Sequence, residues 1–304
     1  MALEKYFEQL NIDKKRFANI LKIRGVNIDE NETYSTLVEK TKQITGTKLA
    51  PEFITFRDNT NEKLDDELRC ISFDNITSFS SMFSDCINLT SINMSLFPNT
   101  SNVTNMASMF SGCNNLSNLD LTSFDTSNVT NMHSMFNGCK KLTTLDLSSF
   151  NTSNVTDMGF MFNYNDNIQN INTSSFNTSK VTNFRQMFNG CKNLTTLDLT
   201  NFDTSNVTDT RHMFGFCSQL TSIDLSTWYA PNIEDVSYMF YGCSALKTLD
   251  VRSFDFTKIK SGHYDGIFND VYIYCKIIVK DTANKEWVLA RKSNLKNVKT
   301  VDEL

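Results

Sequence analysis

Between Ile76 and Lys258 the chain writes one 26-residue unit seven times, and no other feature constrains its fold as tightly. The copy from Val129 to Asn154 reads VTNMHSMFNGCKKLTTLDLSSFNTSN. A Met-Phe pair marks the beat at Met82-Phe83, Met109-Phe110, Met135-Phe136, Met161-Phe162, Met187-Phe188, Met213-Phe214 and Met239-Phe240. The first step is 27 residues and the rest are 26. A unit this short cannot bury its apolar face alone, so copies must stack on one another, and the period predicts a solenoid.

Each unit changes period halfway. Leu142, Leu145 and Leu147 stand in the order L-x-x-L-x-L, which predicts a short strand of a parallel sheet around Leu145-Asp146-Leu147. Val129, Met132, Met135, Phe136 and Cys139 fall at steps of three and four and predict a short helix. Ser127 and Asn128 precede it as N-cap types, and Gly138 stands at its exit. The expected fold is therefore α/β: a leucine-rich-repeat-like solenoid of about seven turns, each a short parallel strand plus a short helix.

Flanking segments complete the plan. Residues 1–47 place Leu3, Phe7, Leu10, Phe17, Ile20 and Leu21 at helical spacing and predict a small helical module. Residues 48–75 read as a junction and N-terminal cap, since an uncapped terminal repeat would expose its core. Residues 76–258 are the repeats. Residues 259–304 read as a degenerate repeat and a mixed C-terminal cap, with a strand from Tyr272 to Asp281 and a helix from Ala283 to Ala290 that carries Trp287.

Charge narrows the function. Residues 73–258 hold nine basic and fifteen acidic side chains, a balance of −6. Phosphate recognition needs a basic stripe, so nucleic acid is not an expected partner. No apolar run approaches the length of a membrane span, and the N-terminus lacks the apolar stretch of a secretory signal, which predicts synthesis in a reducing cytosol. Six cysteines (Cys86, Cys113, Cys139, Cys191, Cys217 and Cys243) occupy one slot of the repeat, where Asn165 stands in the fourth copy. That spacing predicts a buried column of free thiols rather than disulfides or a metal site.

No catalytic constellation is visible. His133, His212 and His263 have no nucleophile motif beside them, and an enzyme is not expected. The second strand position carries Asn93, Asp120, Asp146, Asn172, Asp198, Asp224 and Asp250, which parallel strands would stack at about 4.8 Å into an outward ladder. Local hydrogen bonding by Asp competes here with recognition of a glycan, a cationic partner or Ca²⁺; no other cofactor or metal is expected. Thr143, Thr195 and Thr221 flank the ladder with hydroxyls. Trp228-Tyr229-Ala230 breaks the Phe-Asp-Thr pattern, and Tyr164, Tyr238 and Tyr241 add aromatics on the helix side, all candidate contact residues. The sequons at Asn102, Asn128, Asn154 and Asn206 fall at the expected cap, which accounts for them without glycosylation. Met106, Met132 and Met158 read as core.

The pattern SFDTSNVTNMxxMFxGCxxLTxLDLS, carried by Phe124–Val129 and its counterparts at 150–155, 176–181 and 202–207, resembles the leucine-rich-type repeats of BspA-like bacterial surface proteins. The resemblance implies a binding or adhesion surface, not catalysis. A second segment, Ile23-Arg24-Gly25-Val26-Asn27 with Thr33–Leu37 and Lys40–Ile44, is similar to helical segments of bacteriophage tail and fibre proteins. Together they lead to the expectation of a non-enzymatic phage virion protein (fibre, tail or decoration component). Residues 1–47 would join other virion proteins and the solenoid would meet a host-surface glycan or protein. A bacterial surface adhesin and a cytosolic protein-binding scaffold are the alternatives, and a homo-oligomer is one further assembly the repeat allows.

Overall fold

The computed structural model describes Asp29, Asn61, residues 76–97 and residues 99–304. The chain divides into two units, residues 1–50 and 51–304. The expected helical module 1–47 and the junction 48–75 lie outside the described residues apart from Asp29 and Asn61. Asn61 donates from Nδ2 to the Thr90 hydroxyl at 2.8 Å and the Ser91 hydroxyl at 3.0 Å.

The repeats coil into a stacked column of parallel segments. On one side run β1 (Thr144–Asp146) and β2 (Asn170–Asn172), paired in parallel with Leu145 on Ile171. Further along, β3 (Ser222–Asp224) and β4 (Thr248–Asp250) continue into β5 (Lys276–Val279) and β6 (Val298–Thr300), all parallel. In β1 to β3 the central residue is buried between two exposed neighbours, the alternation a half-buried strand requires. Regular strand is thus present in four of the seven repeats, and the sheet breaks at Leu197, which is only half-buried. A second parallel seam links single residues through the coils, from Ser78 to Asn105, Asn131, Asp157, Asn183, Asp209 and Asp235.

The predicted helix in each turn is not formed. From Met132 to Cys139 the chain makes successive tight turns, and its N–H groups alternate between two destinations. Ser134, Phe136 and Gly138 donate to Gly159, Met161 and Asn163 of the next coil at 2.8, 2.9 and 2.8 Å. Met135, Asn137 and Cys139 donate three residues back, to Met132, Ser134 and Phe136, at 3.2, 3.1 and 3.3 Å. Left-handed backbone at Ser134 (φ 56°) and Gly138 (φ 74°) stops any helix. The residue types agree, since Val, Thr, Asn, His, Ser, Gly and Cys are all weak helix formers. A run of four-residue turns buries the same side chains a helix would, which is why the spacing misled. The caps fall with the helix: Asn128 Nδ2 donates to the Ser101 carbonyl of the preceding coil at 2.8 Å, and Asn154 and Asn206 do the same to Ser127 and Ser179.

Inside, each repeat position becomes a column. Phe83, Phe110, Phe136, Phe162, Phe188, Phe214, Phe240 and Phe268 stack with centroids 5.5 to 6.0 Å apart. The six repeat cysteines are buried free thiols. Cys139 donates its S–H to the Phe110 carbonyl at 3.1 Å, and burial pushes its thiol up to about 12. At four corners a buried threonine, Thr100, Thr126, Thr152 or Thr178, clips successive coils. Thr152 Oγ1 donates to the Asn177 carbonyl at 2.9 Å and accepts from the Asn177 N–H at 2.8 Å. Past the repeats, α1 (Thr282–Arg291) is capped by Asp281, which accepts from Asn284 N–H, and buries Trp287 against Phe256 at 4.9 Å. The helix expected from Ala283 to Ala290 lies within it.

Candidate functional site

Two faces of the solenoid carry exposed, ordered side chains. On the strand face, Asp120, Asp146, Asp198 and Asp224 are exposed and stand one above another with Asn172 between them. Each carboxylate accepts the N–H two residues on: from Thr122 at 3.0 Å, Ser148 at 3.0 Å, Thr200 at 3.0 Å and Ser226 at 2.9 Å. The hydroxyls of Thr122 and Thr200 add a second bond at 2.7 Å. Hydrogen bonds from Thr122 hold Asp120 below the ordinary carboxylate range, and those from Ser148 and Thr200 do the same for Asp146 and Asp198. One oxygen of each ladder residue therefore closes a turn, which is the local role the sequence left open.

The rest of the expected site divides. Thr143 and Thr195 are exposed beside the ladder and Thr221 is half-buried, while their carbonyls accept from Gln169, Thr221 and Lys247 of the next coil. Asp250 does not belong to the exposed ladder: it is 7% exposed and gripped by the Arg252 guanidinium, with Nε 2.9 Å from both oxygens. Trp228 is not a surface contact either. It is 2% exposed, parallel to Phe202 at 6.5 Å and 6.1 Å from Phe254, a large member of the corner aromatic column. Its repeat carries Thr210 where three earlier ones have Met106, Met132 and Met158, and Phe184, in the same slot one repeat before, meets the Trp228 ring at 6.3 Å. Tyr229 is 70% exposed. Among the described residues no three His, Cys, Asp or Glu side chains converge as metal ligands.

The turn face holds what the sequence reading saw only in part. Tyr164, Phe216 and Tyr238 are exposed there, with Phe160, His212 and Tyr241 beside them. His133 lies 5.2 Å from Phe160, and the Arg185 guanidinium lies 5.6 Å over the same ring. His212 stacks on Tyr238 at 4.6 Å, and Tyr241 meets Phe216 at 4.8 Å and Tyr238 at 5.8 Å. Along the adjoining seam Asp157 approaches His133 Nδ1 at 3.3 Å, Asp209 takes the Arg211 fork, and Asp235 approaches His263 Nδ1 at 3.5 Å. Burial and the charges of Arg185 and Arg211 press the His212 imidazole below its ordinary value. All three histidines of the chain stand on this strip. They stand there from three different repeat phases, His133 and His212 lying two and one residues before the Met of their Met-Phe pairs, so phase in the sequence did not single out the strip.

With this geometry in view, the family described as "Mycoplasma protein of unknown function, DUF285" matches residues 77–177 and 163–276, about two thirds of the chain. The chain belongs to that family. The match of this DUF285 chain spans the Phe, Cys and corner-threonine columns. No curated protein matches it. Among solved structures, it is 23% identical to a leucine-rich repeat protein from Eubacterium ventriosum, over 60% of this chain and 42% of that one, at a TM-score of 0.37. It is 17% identical to a leucine rich cell surface protein from Faecalibacterium prausnitzii, over 75% of this chain and 77% of that one, at 0.31. A leucine-rich repeat protein from Bacteroides ovatus is 15% identical over 77% and 68%, at 0.34. These superpositions are loose, and the fold described above stands on its own hydrogen bonds. The chain spans less than half of the Eubacterium protein's length. The phage-tail resemblance falls on residues 23–44, outside the described residues apart from Asp29, and none of the three structures named above is described as a virion protein.

Proposed function

We propose that this DUF285 chain is a non-enzymatic binding solenoid of the BspA-like surface type, which meets a host or neighbouring surface through its long faces. The observation that carries the reading is the division of labour among repeat columns. Inward positions and most backbone groups are consumed by stacking, while exposed side chains line up along two faces for the length of the repeats. Such faces suit extended contact and offer no enclosed chemistry. Resemblance favours a surface role over a virion role by extent, since the BspA-like pattern fills residues 76–258 and the tail-like one only residues 23–44.

Two measurements test this. Antibody against the full chain should label intact, unpermeabilised bacteria, and the purified full chain should bind host cells saturably. Antigen confined to the cytosol, or co-purifying with phage particles, would overturn the surface reading.

A further inference from the structure

The repeat supplies its own control. Each turn side has two left-handed positions. In the first three repeats Ser81, Ser108 and Ser134 take the first, and Asp85, Gly112 and Gly138 the second. From the fourth repeat onward larger side chains enter. Phe160, Gln186, His212 and Tyr238 take the first position at φ 59°, 54°, 53° and 57°, and Tyr164 and Phe216 take the second at 54° and 57°, with Gly190 and Gly242 keeping it in the fifth and seventh. Bulky side chains are disfavoured in this conformation, and the first three coils meet it with serine, glycine or aspartate and no aromatic ring.

The departures come with matched room. A Cβ on Gly190 would lie 2.8 Å from the Tyr164 ring, one on Gly242 2.9 Å from the Phe216 ring, and one on Gly266 2.5 Å from the Tyr238 ring. Each exposed ring thus leans over a glycine of the next coil. His212 and Tyr238 lie nearly parallel, 11° apart. One side of each exposed ring is therefore taken by the next coil, and His212 covers the other face of Tyr238. A sugar stacks on a free ring face, whereas a protein partner uses edges, hydroxyls and guanidinium groups. Most charges on the strip are matched, and Asp265 stands exposed at its Gly266 end. Asp157, Asp209 and Asp235 each accept a backbone N–H and face a histidine or arginine. Arg185 forms no ion pair among the described residues, and its Nε has no hydrogen-bond partner.

We propose that the turn-face strip from His133 to Gly266 docks an acidic, apolar-studded segment of a partner protein, with Arg185 receiving a carboxylate and Tyr164, Phe216 and Tyr238 making the apolar contacts. This rests on the reading of the chain as a binding solenoid and specifies the face and the partner chemistry.

The test uses the full chain and three probes: a synthetic peptide alternating Glu with Phe, its Lys-for-Glu counterpart, and an N-acetylglucosamine oligomer. Fluorescence anisotropy should give a Kd on the order of 10 μM for the acidic peptide, weakening with salt. Returning the strip to the repeat's own residues (Phe160→Ser, Tyr164→Gly, Phe216→Gly, Tyr238→Ser) should weaken it at least about tenfold, with circular dichroism and melting temperature reporting the fold. Arg185→Gln, which removes only a charge at a half-exposed position, should weaken it about tenfold and lower the salt dependence, and keeps the test open if the fourfold variant does not fold. No binding of the acidic peptide, equal binding by a folded revertant or by Arg185→Gln, or tighter binding of the Lys peptide or the sugar would overturn the proposal. A folded revertant that loses the peptide but still attaches to host cells would show that another face makes the cell contact and overturn the strip as the docking site; a wild-type chain that binds the peptide but no cells leaves the strip standing and removes the surface role.

Discussion

Single residues in this solenoid are judged by what their column does. The corner threonine shows the rule: Thr152 both donates to and accepts from Asn177, so one hydroxyl satisfies two backbone groups of the next coil. Replacing it with valine keeps the volume and orphans both groups. Thr152→Val should cost about 1–3 kcal/mol in urea unfolding, and a loss below a few tenths would show that the clip is ornamental. Where the column is interrupted the reverse holds. Asn165 takes the cysteine slot, fully buried, with neither carboxamide atom hydrogen-bonded. Asn165→Cys restores the thiol that its neighbours Cys139 and Cys191 carry, and should raise stability by about 1–2 kcal/mol, read as a higher denaturation midpoint at unchanged slope. Thr204 is the third case: its hydroxyl has no partner because the next corner is Trp228-Tyr229-Ala230 rather than Phe-Asp-Thr.

At the level of the element, the ladder and the corner aromatics make different demands. Asn93 and Asn172 fill the ladder position naturally and accept from Ser95 and Ser174 at 3.2 and 3.1 Å, as the aspartates do from their own neighbours. Charge is thus dispensable for the turn, and Asp120→Asn, Asp146→Asn and Asp198→Asn together should leave the fold intact. Their folded pKa values are depressed, so the stability these carboxylates add is complete above the unfolded value of about 3.9 and is lost as pH falls through the folded values. The triple variant should flatten that acid limb in melting-temperature scans; an unchanged limb would assign it to other carboxylates. His212 acts at higher pH. Its folded pKa lies below the unfolded one, so stability is at its plateau above about 6.5 and falls as the unfolded chain takes up a proton that the folded chain resists. The aromatic corner gives a coupled pair. Trp228→Phe should leave a void costing about 1–3 kcal/mol, and Thr210→Met added to it should recover part of that loss, although it forfeits the Thr210 bond to the Asp235 carbonyl. Additive single effects in the double-mutant cycle would separate the two positions. The sequence made the columns legible, because a residue's phase in the repeat decides its burial. It did not reveal how the second half folds. Spacings of three and four describe a helix and a chain of four-residue turns equally, and only the weak helix propensity of Thr, Asn, Ser and Gly separates them. Trp228 misled for a related reason: a break in pattern reads as surface, whereas here the larger ring stays inside the core aromatic column between Phe202 and Phe254. Asp250 was drawn inward by Arg252, a pairing one coil alone carries among the ladder positions.

For the whole molecule, stability should behave as a sum over coils, since each of the backbone seams joins a coil only to its neighbours. Removing one entire unit, Val129 to Asn154, joins Asn128 to Val155 and re-creates the Ser-Asn-Val-Thr sequence that also stands at 101–104 and 205–208. Phe110 would then stack on Phe162 and Cys113 would precede Asn165 in its column, so the shortened chain should fold. It forfeits one repeat and one interface, about 1–4 kcal/mol at ordinary per-residue stability. Removing only Val129 to Leu142 instead places strand residues where the next coil presents turns, and no column survives the junction. Circular dichroism and urea unfolding should therefore show a folded, slightly weaker protein in the first case and a lost transition in the second. If both deletions proved equally damaging, the repeats would fold as one indivisible core and the column logic would fail. The deletion also separates the two faces, because it shortens the strand-face ladder by Asp146 and takes only His133 from the turn-face strip, leaving every aromatic from Phe160 onward in place. Binding carried by the strip should survive the loss of the third coil, and binding carried by an uninterrupted ladder should weaken with its length.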